Sequence, residues 1–312
     1  MTGAEERSGV PGGGGALLVV GDVVTDVVAR HRGPLAQGTD TAAEIRTVPG
    51  GAGANVACWA AYEGCPDVRL LGRVGADSAA WHEEELTRAG VRPRLVVDPE
   101  AATGTVICLV DGEAAAERTF LTDSGAALRL CADDWSPELL DGVGWLHLSG
   151  YLFFAEPSRA VAAVALEAAR ARGAPVSVDP ASAGFLRELG VERFLGLVDG
   201  VDVLLPSRDE AELLAGVPDS EGAAAKLSLR FAEVVVKRGA EGAVVARGGV
   251  VRERVGAAEV EVPRDSTGAG DAFTGGYLAA RLGGAGVREA VGVGCAAGGF
   301  VVGRVGARPP GR

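Results

Sequence analysis

The chain has 312 residues, 47% of them hydrophobic, and a formal net charge of −12. That apolar share fills a real core and excludes a chain disordered by composition, and the length allows two domains or one large α/β domain with an appendage. The acidic surplus speaks against nucleic acid and anionic membranes as partners, which demand excess Lys and Arg, but not against one nucleotide held at a helix N-terminus.

In chain order, residues 1–15 are Gly-rich and polar and read as a disordered tail. The apolar run Leu17–Asp22 predicts a buried parallel strand. Residues 31–49 are mixed and polar, with weak alternation around Ala43–Val48; Gly50-Gly-Ala-Gly-Ala-Asn55 then opens a helix through Tyr62. Val68–Val74 predicts a second strand and Ser78–Ala89 a second helix. Between Leu95 and Thr122 the pattern turns hairpin-like, so this stretch and 31–49 are expected to form a small β-rich lid, about 31–49 and 95–124. Strands and helices then alternate: Trp145–Leu148, the Ala-rich helix Ser158–Arg172, Val176–Asp179, Val201–Leu205, the short helix Asp209–Ala215, Val234–Lys237 and Ala243–Ala246. Helices over Gly268–Leu282 and Val287–Val302 close the chain. Repeated β-α units predict a doubly wound, mostly parallel sheet with helices on both faces.

Asp265-Ser-Thr-Gly-Ala-Gly-Asp-Ala-Phe-Thr-Gly-Gly276 carries the strongest chemical signal. Gly268, Ala269 and Gly270 strip side-chain bulk from a helix start, so backbone N–H groups and the helix dipole can meet an anion. Asp271, in the first turn, is placed to take a proton from an attacking hydroxyl. A Gly-rich turn before a helix is more often only a loop, and a first-turn Asp more often only a dipole partner. The Walker A pattern fails because no Lys-Ser/Thr pair follows Gly275-Gly276. The dinucleotide pattern fails because Phe273 stands where its third Gly belongs.

This segment resembles the C-terminal motif of the ribokinase-like (PfkB) carbohydrate kinases. Gly50-Gly-Ala-Gly-Ala-Asn55-Val-Ala is similar to that family's N-terminal Gly-Gly motif, and Gly72-Arg-Val-Gly-Ala-Asp77 to the segment after it. The likeness extends over about residues 16–310, and 16–312 is expected to be one kinase domain into which the lid is inserted. The resemblance implies transfer of the γ-phosphoryl group of ATP to a hydroxyl of a small carbohydrate, with Mg²⁺ as cofactor. It makes Asp271 the base and Gly268, Ala269 and Gly270 the anion hole. It places Asp26 (with Asp22 as alternative), Gly50, Gly51 and Asn55 on the substrate side, the Gly pair also as the hinge of the lid. It places Ser207, Lys237, Gly239, Gly242, Gly270 and Cys295 near the nucleotide. Glu210 would order Mg²⁺ through water. Ser207 stands where the family usually has Asn, which puts that contact in doubt, and Ala52 stands where ribokinase-like members often have Lys. Asp265, Thr267, Val301 and Gly306 resemble a K⁺ loop. Arg118, Thr119 and Asp123 are lid candidates for substrate contact.

A nucleoside kinase of the same family is the competing reading. Its base would need an apolar wall, for which Tyr151, Phe153, Phe154 and Phe120 are available in a chain only 5% aromatic. A non-catalytic sugar or nucleotide binder is the remote alternative, disfavoured by Asp271 and its glycines. The five cysteines form no CxxC pair, no apolar h-region occupies residues 1–15, and no apolar run is long enough to span a membrane, so a cytoplasmic protein is expected. A homodimer formed by pairing of exposed lid strands is expected from the family.

Overall fold

The structure, a computed structural model, describes residues 14–111, 118–304 and 306–311; the expected tail falls almost wholly outside them. The chain opens with β1 (Ala16–Val20), β2 (Val24–His31), β3 (Ala43–Gly50), α1 (Ala52–Tyr62), β4 (Val68–Gly75), α2 (Ala79–Arg88) and β5 (Val91–Asp98). The hairpin β6 (Thr103–Asp111) and β7 (Arg118–Gly125) follows. Then come β8 (Val143–Ser149), α3 (Glu156–Ala171), β9 (Val176–Asp179), α4 (Ala183–Leu189), α5 (Val191–Leu197), β10 (Val203–Leu204), α6 (Arg208–Ala215) and α7 (Ser220–Leu227). β11 (Glu233–Lys237), β12 (Ala243–Arg247), β13 (Val250–Val255), α8 (Ala269–Leu282) and α9 (Val287–Val302) complete the chain.

Among the described residues, nine strands form one sheet in the order β13-β12-β11-β10-β9-β8-β1-β4-β5. All neighbours from β11 to β5 run parallel, and β12 and β13 add an antiparallel edge. β1 is an interior strand, third from the β5 edge, and its alternate residues serve two cores. Leu18 and Val20 pack with Leu146, Leu148, Val176 and Val178 under α3 and α6. Leu17 and Val19 pack with Trp145, Val203 and Val235 under α1 and α8. A parallel strand buried on both faces has no solvent side, which explains its unbroken apolar run.

The second sheet has the order β3-β2-β6-β7, with β2 parallel to β6 and antiparallel to β3. Two strands differ from the sequence reading. Val24–His31 is a central strand of this small sheet, although its half-buried residues show no clean alternation. Val91–Asp98 belongs to the large sheet, paired in parallel with β4 from Val68↔Val91 to Gly75↔Asp98, so residues 95–98 leave the lid. Its mixed exposure, the mark of an edge strand, mimics a hairpin arm. The helices α4, α5 and α7 and the strand β13 were not foreseen; all four are eight residues or shorter, too brief for a clear period.

Candidate active site

The parallel strands end toward one edge, where the starts of α1 and α8 meet. Gly268 caps α8 at φ 77, a left-handed conformation that a side chain resists. A Cβ there would lie 2.5 Å from that of Ala307, so the position has no room for one. Ala269 donates its N–H to the Ser266 carbonyl at 3.2 Å, which closes the turn and leaves Gly268 and Gly270 as its flanking amides. At Gly270 a Cβ would stand 3.4 Å from Lys237 Nζ, so the lysine ammonium lies directly against the turn. Helix dipole, backbone amides and ammonium thus share one sign at one place.

Asp271 sits one residue beyond. Asn55 donates Nδ2 to its Oδ2 at 2.9 Å. Burial pushes the Asp271 carboxyl up to about 7; the Asn55 bond and Lys237 oppose the rise, and Asp179 and Asp22 add to it. A carboxyl titrating there is a competent base near neutral pH. Lys237 forms an ion pair with Asp179, whose Oδ2 also accepts from Thr274 Oγ1 at 2.9 Å. Burial alone would lower the Lys237 ammonium, but Asp179, Glu210 and Asp271 outweigh it and hold the group charged. Glu210 and Ser207 form a reciprocal cap on α6: Ser207 N donates to Glu210 Oε2 at 2.8 Å, and Glu210 N to Ser207 Oγ at 3.4 Å. Ser207 also bridges to Lys237 as a parallel strand pair. Burial, then Asp179, raises the Glu210 carboxyl.

On the opposite wall the two aspartates divide their tasks. Asp22 accepts from Ala52 N at 2.7 Å, Gly53 N at 3.1 Å and Ser149 Oγ at 2.7 Å. It is the cap of α1, whose preceding Gly51 has φ 97 and would set a Cβ 2.5 Å from the Asp22 carbonyl. Asp26, on β2, lies against Gly50 instead. Its carboxyl fills the space a Gly50 side chain would need, 2.4 Å from the Cβ position. Burial lifts it to about 7, against the charge of Arg308 and with that of Asp22. Gly50, Gly51, Asn55 and Asp26 therefore meet Asp271 around one space, with the small sheet attached through Gly50.

The remaining candidates lie apart from that centre. Asp265 accepts from Thr267 N at 2.7 Å and Gly306 N at 3.3 Å, joining the α8 turn to the segment after α9. The Val301 carbonyl accepts from Arg304 N at 3.0 Å within the end of α9, and it is Val302 that meets the Asp265 backbone, at 3.2 Å. Gly239 and Gly242, at φ 58 and 82, shape the turn after Lys237. Cys295 is half-buried on α9, its thiol raised to about 11 by burial. In the small sheet, Thr119 and Asp123 are exposed; the Arg118 side chain lies outside the described residues. His147 and His82, left without a role by sequence, are buried neutral rings lowered to about 4 by burial.

Residues 16–311 match the model of the pfkB family carbohydrate kinases. The chain belongs to that family. The kinase is 32% identical over 276 residues to a fructokinase of Klebsiella pneumoniae, covering 85% of this chain and 84% of the relative. It is 34% identical over 272 residues to a fructokinase of Escherichia coli, covering 84% and 83%. An E. coli structure described as a ribokinase II in complex with ATP and Mg²⁺ superposes with a TM-score of 0.81 at 26% identity, covering 94% of each chain.

Two residues of the kinase, Asp179 and Arg308, escaped sequence reasoning, and Tyr151 entered it only as part of an apolar wall. Asp179 ends a predicted strand at the carboxyl edge of a parallel sheet, where open α/β folds bind ligands, and that position was its available signal. Tyr151 follows β8; its hydroxyl is pushed well above the ordinary phenol range by burial and then by the charges of Asp22 and Asp271, so it borders the same space. It packs on Phe154 and Phe185 with ring centroids 6.0 and 5.9 Å away. Arg308 lies beyond every motif, and no local pattern marks it.

Proposed function

We propose that the kinase transfers the γ-phosphoryl group of ATP to a hydroxyl of a small sugar, with Asp271 as base. The observation that carries this is the juxtaposition of Asp271, oriented by Asn55, with a glycine-cleared helix start against which Lys237 lies. The acceptor hydroxyl gives its proton to the Asp271 carboxylate as its oxygen bonds to the γ-phosphorus. The bond from that phosphorus to the β-bridging oxygen breaks and ADP leaves with the electron pair. Charge spread over the equatorial oxygens is met by the turn around Gly268–Gly270 and by Lys237. Mg²⁺, when bound with ATP, neutralises phosphate charge. Glu210 and its neighbour Asp179 are the carboxylates that would order the ion through water, suiting an ion that keeps most of its ligands as water and phosphate. Ser207, Gly239, Gly242 and Cys295 are proposed for the nucleotide side.

Asp26, Gly50, Gly51 and Asn55 are proposed to hold the sugar, because a carboxylate accepts from two hydroxyls at once. Asp22 is not assigned that role, since its oxygens already cap α1. Fructose is the first acceptor to try, given the two fructokinase relatives. A second reading, a nucleoside acceptor, has one observation in its favour: the ring cluster of Tyr151, Phe154 and Phe185 beside the crevice, with Phe154 and Phe185 stacked at 5.0 Å. An ADP-release screen over sugars, sugar acids and nucleosides decides. Turnover of nucleosides alone would end the sugar reading. Asp265, Thr267, Val301 and Gly306 are proposed as a monovalent-cation loop, which equal rates in K⁺, Na⁺ and neither ion would remove. A homodimer is proposed through the edges of the small sheet, where Ile45, Phe120 and Leu121 are exposed. Light scattering that returns a monomer would reject it.

A further inference from the structure

The segment after α9 is pinned from two sides. Trp59 Nε1 donates to the Ala307 carbonyl at 2.8 Å, and Ala307 occupies the space beside Gly268. That placement delivers Arg308 to α1. Its Nε donates to Asn55 Oδ1 at 3.0 Å, its Nη2 to the Gly50 carbonyl at 3.1 Å and its Nη1 to Cys58 Sγ at 3.3 Å. Asn55 in turn donates to Asp271.

An asparagine amide has two faces of opposite sense, one accepting and one donating. Flipped, Asn55 would turn its oxygen toward the Asp271 carboxylate, acceptor against acceptor. A guanidinium has no acceptor at all, so it tolerates only the amide orientation in which Oδ1 faces it. We infer that Arg308 is a positioning residue for phosphoryl transfer: by holding Asn55 Oδ1 and the Gly50 carbonyl, it makes Asn55 present only N–H groups to Asp271 and to the acceptor sugar. This rests on Asp271 being the base. One amide hydrogen is then committed to Asp271, and the other is left to select an oxygen acceptor on the substrate. The same side chain ties the last residue of β3, where the small sheet joins α1, to the catalytic carboxyl.

The groups around this chain can be told apart. Asp271 faces Asp179 from β9, Lys237 from β11 and Asp22 from beyond β1. Arg308 faces Asp26 on β2 and His82 on α2, and it touches Asn55 rather than Asp271. Its removal leaves the carboxylates and ammonium around Asp271 in place, so a change in the titration of Asp271 is transmitted by Asn55.

The test compares full-length Arg308→Ala, Arg308→Lys, Asn55→Ala and the double variant Asn55→Ala/Arg308→Ala. Each is first shown to be folded by circular dichroism and thermal melting. Loss of a hydrogen bond to a charged group predicts a fall in kcat of about 10–100-fold for Arg308→Ala. The KM for ATP should change less than about twofold, because uniform binding of the nucleotide is untouched. The acid limb of kcat/KM should move to higher pH, since the Asn55 bond that favours the charged carboxylate is weakened. Arg308→Lys should recover part of the loss, and guanidinium ion added to Arg308→Ala should raise kcat. In the Asn55→Ala background, Arg308→Ala should cost nothing further. An unchanged kcat and acid limb in Arg308→Ala, or a loss that adds in full to that of Asn55→Ala, overturns the inference. Should Arg308→Ala fail to fold, Arg308→Lys carries the comparison, and wild-type kcat and acid limb there overturn it. The two claims fail separately: normal turnover in Asp271→Asn removes the base itself, whereas an inactive Asp271→Asn beside an unaffected Arg308→Ala removes only the role of Arg308.

Discussion

The helices α1 and α8 start in nearly the same way and end up doing opposite things. Each begins at a glycine with positive φ, Gly51 at 97 and Gly268 at 77. They pack so closely that a Cβ on Gly275 would lie 2.6 Å from Trp59 Cβ. At α1 the first amides are filled by the protein's own carboxylate, Asp22. At α8 the N-cap residue is Gly268, which has no side chain to cap with, and a lysine ammonium lies against the turn. The same local backbone is therefore a closed joint in one place and, in the function proposed, the anion site in the other. A helix N-terminus is a site only when the fold withholds its cap.

The largest effect that bears on this contrast is chemical. Asp271→Asn should lower kcat by about 10²–10⁴-fold or more while ATP still binds; near-normal turnover would show that the open start of α8 is not catalytic. The same variant sharpens the pH behaviour. With its carboxyl raised to about 7 in the fold against 3.8 as its ordinary value, Asp271 favours the folded state most below pH 4. That contribution is lost as pH rises through about 7, while activity, with Asp271 as the proposed base, should rise over the same interval. Melting temperatures of wild type and Asp271→Asn should therefore converge toward low pH and separate toward neutral pH in favour of the variant, and a constant difference would contradict the assigned titration.

Lys237→Met comes next. It strips the cation from the α8 turn and leaves Asp179 uncompensated, a loss of about 3–5 kcal/mol for a buried pair. Urea unfolding and kcat/KM for ATP should both fall, and a stable variant with normal ATP kinetics would dissociate Lys237 from the anion site. Gly268→Ala should cost about 1–3 kcal/mol through its left-handed backbone and the clash with Ala307. A variant with unchanged denaturant midpoint would mean that the turn is loose. The smallest effect belongs to the closed start. Asp22→Asn keeps an acceptor but drops the charge, so stability should fall by about 0.5–1 kcal/mol. The acid limb of kcat/KM should shift slightly down as a negative neighbour of Asp271 disappears; an upward shift would contradict the charge assignment.

How much of this could be read in advance follows the range of the forces involved. The turn Gly268–Gly270, the helix after it, the Gly50–Asn55 start and the alternation of strands and helices were legible, because glycine freedom and hydrophobic period are local properties of the chain. β2 was missed and part of β5 misplaced because strands of mixed exposure show no clean alternation until their partners are known. Asp22 and Asp26 stood as alternatives four residues apart, and only the arrival of the Ala52 and Gly53 amides separated them. By itself the sequence determined the family, the glycine-rich start of α8 and the carboxyl in its first turn. Only the tertiary structure decided which helix start is capped, that Lys237 is paired with Asp179, and that Arg308 reaches Asp271 through Asn55. Those contacts join residues 30, 58, 216 and 253 positions apart, and no periodicity or propensity in a chain reports a partner at such a distance.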